Sequence, residues 1–318
     1  MSGLYTYFYF KEKEVYVVER GKGIILILFG SMLWGLSGPM MEWVLHNSEL
    51  SVSFFLSIRL VLAGIGLLAF SKLKGMNLLS IWREVGWGKQ LILFSLLGML
   101  GVQFTFIAAI DASNASIATL LQFLGPIYII LFVSWKSRLF PPKYQVVGIL
   151  GTLAGLFLLL TNANIAQLLI SKEALFWGVA LGITFAFYTV YPARLMKEWG
   201  VLLVVGWGML LGGITLAFVS RIWSTDEWGQ LVLYPLNLVI FGIIIIGTVA
   251  FVMFLSSMKY ISAVETSILS SVEPLTAMVV SVFWFDQMLG TWQYVGVLVM
   301  LMFVTWLSIG GEVRWSKK

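Results

Sequence analysis

In this chain of 318 residues, 60% are hydrophobic and 11% charged, and the mean hydropathy is +0.96, whereas about a quarter of residues are charged in a soluble protein. The composition is that of a polytopic membrane protein. With no cysteine and a single histidine, His46, disulfides, thiolate or His-based metal sites and cysteine nucleophiles are excluded, and no metal or other cofactor is expected. The net charge of +5 lies in short loops, where it sets topology and meets anionic headgroups and not nucleic acid.

Crossing a bilayer takes about 20 apolar residues in a helix. Ten such runs follow in chain order: Gly23 to Leu45, Ser51 to Phe70, Gln90 to Ile110, Ala115 to Trp135, Tyr144 to Thr161, Ala174 to Leu195, Val201 to Ser220, Pro235 to Met258, Ala263 to Phe285 and Thr291 to Ile309. Residues 1–21 read as a cytoplasmic tail whose rings, Tyr5, Tyr7, Phe8, Tyr9 and Phe10, suit the membrane interface. No cleavage site follows the first run, so it stays in the mature protein. The connections are short and leave no room for a soluble catalytic domain.

Placing both termini in the cytoplasm puts 17 of the 20 basic residues inside, leaving Lys172 and Arg221 outside and Arg59 within the second run. Glu42, Glu49, Asp111, Glu173, Asp226, Glu227 and Asp286 then mark the outer side. Lys and Arg accumulate in short cytoplasmic loops, so this orientation, in a cell membrane, is expected. His46 falls in an outer loop, and Glu265 lies near the inner boundary, facing headgroups or water.

Residues 106–160 align with 254–308 at a constant offset of 148, without a gap. Phe106 falls on Phe254, Ala115 on Ala263, Pro126 on Pro274, Gln145 on Gln293 and Gly148 on Gly296, while Asp111 falls on Lys259 and Arg138 on Asp286. Packing residues repeat and end charges reverse, as expected of two copies facing opposite ways across the membrane. The expected fold is therefore all-α: ten transmembrane helices as two inverted five-helix repeats, 22–161 and 172–310, followed by a cytoplasmic tail at 311–318.

Glu273 sits near the middle of the ninth run, roughly 16 Å from either end at 1.5 Å per residue. A carboxylate at that depth is costly and faces the bundle interior. Ser262, Thr266, Ser270 and Glu273 lie within about 40° of one direction at 100° per residue. The repeat offset carries this stripe to Asn114, Ala118, Gln122 and Gly125 on the fourth run. Two readings stand: the stripes line a central cavity that holds cargo, or Glu273 and its serines bond backbone groups freed by Pro274. Arg59, roughly 13 Å inside the second run, is either an anion contact or counter-ion of Glu273, or a donor to carbonyls between helices. Trp34 in the first run, Tyr188 in the sixth and Gln103 in the third are pocket-lining or packing residues. Gly148, Gly151 and Gly155 form a small-residue stripe that permits close helix contact, within the chain or across a homodimer.

Leu33-Trp34-Gly35, Arg59, the pattern from Ala115 to Pro126, Glu273-Pro274 and Gln293-x-x-Gly296 resemble the ten-helix EamA-type members of the drug/metabolite transporter superfamily, over roughly Gly23 to Ile309. Gly125 departs from the acid that often precedes this proline, and Asp286 stands near the acid that often ends the ninth helix. The resemblance implies a central cavity bounded mainly by spans 1, 3, 4, 6, 8 and 9, with spans 5 and 10 peripheral. It also implies alternating access and, as cargo, amino acids, amines, nucleosides or drug-like compounds, often exported. A secondary transporter with a small-molecule partner, and not an enzyme, is the reading taken. A membrane-embedded or lipid-modifying enzyme lacks paired acids, a thiol or a base. A passive channel or scramblase stays open on sequence alone.

Overall fold

The computed structural model describes residues 2–164, 170–262, 265–266, 269–270, 272–286 and 288–315, and among these every regular element is helical. Ala263, Lys317 and Lys318 lie outside the described residues, as do the side chains of residues 1–18, including the tail aromatics. Eight segments are long and apolar enough to cross a membrane: 19–47, 52–73, 85–111, 115–137, 143–161, 172–199, 201–220 and 236–257. Two shorter apolar helices follow at 272–285 and 291–303.

The first helix, α1, runs unbroken from Ser2 to Asn47, so the segment expected as a tail is helical and joins the first span, 19–47, without a break. Lys, Glu and Arg between residues 11 and 22 are good helix formers, no proline stands before Pro39, and Glu19 pairs with Lys22 one turn on at 3.8 Å. The second span, α2 (Val52–Leu73), starts where the Ser51 hydroxyl accepts the Phe54 N–H at 3.2 Å, a standard N-cap. At the same end Glu227 accepts from the Ser51 N–H at 2.6 Å and hydroxyl at 3.1 Å, pinning the 3-10 segment Asp226–Val232 to that cap.

The third span is interrupted. Between α3 (Val85–Leu93) and α4 (Gly101–Asp111), residues Phe94–Leu100 widen into a π-helix that nothing in the apolar run foretells. The fourth span also breaks, into α5 (Ala115–Leu121) and α6 (Leu124–Ser137), with Gln122 and Phe123 in a turn. Pro126 has no N–H for the Gln122 carbonyl, which instead takes the Gly125 N–H in a tighter turn at 2.8 Å. Next come α7 (Lys143–Thr161), α8 (Lys172–Val190) with the short α9 (Ala193–Trp199), α10 (Val201–Ser220) and α11 (Leu236–Ser257).

The ninth span repeats the break of the fourth. Ahead of Pro274, Glu273 donates its N–H to the Ser270 carbonyl at 2.9 Å, and Ser270 and Glu273 stand 148 positions after Gln122 and Gly125. The helices that follow, α6 and α12 (Val272–Phe285), end in the same way: Arg138 and Asp286, again 148 apart, both adopt the left-handed conformation with φ of 54° and 52°. The last helix, α13, spans Thr291–Trp315.

Helices pack in recurring pairs. The closest contacts join α2 to α10 and α7 to α13, and the contacts of α1 with α11 and α12 are matched by those of α8 with α4 and α6. Where backbones meet, glycine is obligatory: a Cβ on Gly64 would come 2.5 Å from the Leu210 nitrogen, and one on Gly213 would come 2.8 Å from the Val61 nitrogen. Between α7 and α13, a Cβ on Gly155 would lie 2.7 Å from the Gly296 carbonyl oxygen, and Gly151 leaves room for Phe303. The small-residue stripe of the fifth span is thus occupied within the chain and does not present a face to a second copy. Gln293 secures the same seam, accepting the Gly290 N–H at 2.8 Å and donating to the Leu159 carbonyl at 3.0 Å.

Candidate functional site

The two broken spans meet face to face at their breaks. Gln122 Nε2 donates to Glu273 Oε2 at 2.8 Å, with Gln122 6% and Glu273 1% exposed. The bond crosses from a turn in the fourth span to the first turn of α12. Among the described residues no Lys or Arg pairs with Glu273, and its side chain accepts from Gln122 instead. Ser270, 3% exposed, joins Gln122, Phe123, Pro126 and Phe185 around a narrow gap with no room for a water molecule. Gln122, Ser270 and Glu273, three of the residues singled out in the sequence, therefore come together at one place.

An aromatic cluster covers them. Trp34 of α1 meets Phe251 edge-on at 4.4 Å between centroids and Tyr188 of α8 at 6.2 Å, and Tyr188 stacks on Phe94 of the π-helix at 6.2 Å. Phe254 lies 5.1 Å from Trp34 and 5.7 Å from Phe185. These rings fill the space where the sequence led us to expect an open cavity, so in this conformation the centre is shut. The Tyr188 hydroxyl is fully buried and, like Gln103 Oε1, has no hydrogen-bond partner among the described residues. Gln103 Nε2 reaches only the Met99 sulfur at 3.2 Å. Orphaned polar atoms in a core are costly and uncommon, and Tyr188 places one of them against Trp34.

The Leu33-Trp34-Gly35 turn gains a physical role here. A Cβ on Gly35 would collide with the Glu273 carbonyl oxygen and come 2.6 Å from Thr276 Cβ, so only glycine lets α1 lie against the acid. A Cβ on Gly125 would enter the Phe185 ring. The first repeat has no space for the acid that its second repeat carries at Glu273; the phenyl ring takes that volume.

The remaining expected residues stand elsewhere. Asn114 is the N-cap of α5, its side chain accepting the Ile117 N–H at 2.8 Å. Thr266 shares a 3.1 Å hydroxyl contact with Ser257, and Ser262 forms a capping box with Glu265, whose carboxylate accepts the Ser262 N–H at 2.8 Å. Glu265 also pairs with Arg20 at 3.3 Å, so it ties α1 to the start of the ninth span and is not simply solvated. Arg59, 3% exposed, donates to the Met41 sulfur at 3.3 Å and sits over Gly247, where a Cβ would fall 2.5 Å from Nη2. It makes no ion pair with Glu273.

Glu42 was read as an outer-side charge, yet it is 1% exposed and accepts the Ala115 N–H at 2.8 Å, securing α1 to the N-terminus of the fourth span. A carboxylate is favoured there because the first amides of a helix lack partners. The clue was in the spacing: Trp34, Gly38 and Glu42 recur at four-residue intervals on one face of α1, and Gly38 lies beside Ala115 and Phe106.

A family model described as the EamA-like transporter family matches residues 21–161 and again 172–309. The chain belongs to the EamA-like transporter family. One EamA relative, an uncharacterized inner membrane transporter, YicL, of Salmonella typhimurium, is 35% identical over 294 residues, covering 92% of this chain and 97% of that protein. An uncharacterized transporter of Archaeoglobus fulgidus is 27% identical over 207 residues, covering 64% of this chain and 72% of its own. One solved crystal structure superposes with a TM-score of 0.69 over 94% of this chain and 99% of its own; at 17% identity that likeness speaks for the fold alone. The two EamA matches leave out the loop between α7 and α8, and they enclose both broken spans. Membership of this family makes the protein a membrane transporter.

Proposed function

We propose that the chain is a secondary transporter of ten spans, arranged as inverted repeats at 22–161 and 172–310, with short tails at 1–21 and 311–318. It exports a small metabolite by alternating access around the Gln122, Ser270 and Glu273 cluster. The observation that carries this reading is the pair of helix breaks. Two spans, repeat-related at an offset of 148, each open a turn before a proline and turn it toward the other, with a buried acid between them. Broken helices meeting near the midplane are how carriers expose backbone and side-chain groups to cargo in a place where lipid forbids it. The orphaned Tyr188 hydroxyl, on a ring packed against Phe185, supplies unfilled bonding capacity beside them. Cargo class, an amino acid, amine, nucleoside or drug-like compound, and outward direction rest on the family resemblance.

Alternating access also needs ties that break in turn. Arg20–Glu265 closes the end near the start of α1, and Glu42–Ala115 closes the opposite end, so the conformation described is shut on both sides. Opening inward breaks the first tie and opening outward the second.

Two experiments test the proposal. Purified protein in liposomes, screened with amino acids, amines and nucleosides, accumulates one of them unchanged against its gradient when a proton gradient is imposed. Equilibration without accumulation makes it a pore, and release of an altered product makes it an enzyme. For orientation, single cysteines replace Lys172 and Lys318 in a chain that has none. An impermeant thiol reagent labels the former in intact cells and the latter only after lysis; the reverse pattern overturns the assigned sidedness.

A further inference from the structure

At the end of the fourth span the chain leaves the helix bundle and forms an open groove of about 700 Å³, lined by Leu131, Ser134, Trp135, Lys136, Arg138 and the turn 139–141. It lies apart from the Glu273 cluster, in a corner that the distribution of basic residues assigns to the cytoplasmic side. Its rim combines two features. Trp135 is 77% and Phe140 98% exposed, so large rings stand free of the protein. And no Asp or Glu occurs anywhere between Asp111 and Glu173, while Lys136 and Arg138 make no ion pair among the described residues.

We propose that this groove is a binding site for an anionic phospholipid of the adjoining leaflet, its phosphate held by Lys136 and Arg138 and its chains lying on Leu131, Trp135 and Phe140. The combination of chemistries argues for a lipid: uncompensated cations ask for an anion, and exposed rings and a leucine beside them ask for hydrocarbon. A free phosphate would satisfy the first requirement only. The backbone presents these groups at some cost. Arg138 holds the left-handed conformation that glycine adopts without penalty, while its N–H and that of Leu139 close the helix end on the Trp135 and Ser134 carbonyls. That turn directs the chain away from the helix between the two cations and Phe140.

The second repeat supplies an internal comparison. The equivalent corner, at the end of α12, has the same left-handed backbone but carries Trp284 in place of Lys136 and Asp286 in place of Arg138. A site that belonged to the shared architecture would recur there; one built on the cations would not.

The test uses the full chain in neutral detergent, with phosphatidylglycerol, phosphatidylcholine or inorganic phosphate added, and native mass spectrometry to count retained molecules. Lys136→Gln/Arg138→Asn removes both charges, and Asn tolerates the left-handed backbone. Each cation near an anionic surface is worth about fivefold in affinity, so the double variant holds phosphatidylglycerol about 30-fold more weakly. Phosphatidylcholine retention is low and the same for both proteins. Phe140→Ser, with both charges intact, weakens phosphatidylglycerol and leaves phosphate unaffected. Asp286→Asn changes nothing. Equal retention of phosphatidylglycerol by wild type and double variant, or wild-type retention of phosphatidylcholine that equals its retention of phosphatidylglycerol, overturns the proposal. Displacement of phosphatidylglycerol by millimolar phosphate would make the groove an anion site without lipid and overturns it as well.

Discussion

Replacing Glu273 by Gln abolishes concentrative transport while the protein inserts, folds and elutes as wild type does. The side chain is buried at the meeting of two broken spans, and its Oε2 accepts from Gln122 at 2.8 Å. Glutamine keeps the length and can still accept that bond, so the fold is retained. The charge and the exchangeable proton are lost. A hydrogen bond to a charged group is worth about 1.5 kcal/mol or more, so transport falls at least about tenfold if cargo or proton is held by the carboxylate. The measurement is uptake into proteoliposomes over a range of pH, for wild type and variant side by side. Loss of rate together with loss of pH dependence is the expected result. A variant with unchanged rate and unchanged pH profile would reduce Glu273 to a support for the backbone at Pro274.

The second large effect is on assembly. Gly35→Ala forces a methyl group into the Glu273 carbonyl and against Thr276, both of them on a neighbouring helix close to its proline break. Inserting a methyl group into a packed interior costs about 1–3 kcal/mol, and Gly35→Leu costs more. The thermal midpoint in detergent falls for Gly35→Ala and falls further for Gly35→Leu, and transport falls with it because α1 is pushed away from the acid. Gly66→Ala on α2, where a Cβ meets nothing within 4 Å, is the matched control and leaves the midpoint level or slightly higher. If Gly35→Ala is as stable and active as wild type, α1 does not press on the ninth span as described.

Much of this arrangement was legible before any coordinates. Apolar runs located the helices because a bilayer leaves a backbone few other options. The offset of 148 paired Pro126 with Pro274, and from that pair follow the two breaks and the juxtaposition of Gln122 with Glu273. Other features left no such trace. The π-helix at 94–100 lies within one long apolar run and carries no residue that marks it, while Phe94 within it packs against Tyr188. Asn114 and Ser262 matched the polar stripe by angle, but they lie at helix starts, where unpaired amides claim a side chain before any cargo does. Glu42 counts toward the outer side in a sidedness argument, which says nothing of what a charge near a helix end touches. The residue belongs to the last turns of a helix, and its partner, the Ala115 amide, lies 73 residues further on. The aromatic filling of the centre depends on four spans at once, so no single run announces it.

The paired turns at Arg138 and Asp286 bear on how such a chain arises. Neither position holds glycine, and both keep a backbone that ordinary residues resist, with φ of 54° and 52°. The shape is therefore imposed by the helix end and its surroundings, and the side chain is left free to differ. One copy carries a cation there, the other an anion. Instructions for form and instructions for direction are consequently written in separate parts of the same turn. Under the proposed inverted arrangement, a duplicated unit is turned over in the membrane by exchanging a few charges at its corners, while the interior that both copies share stays as it was.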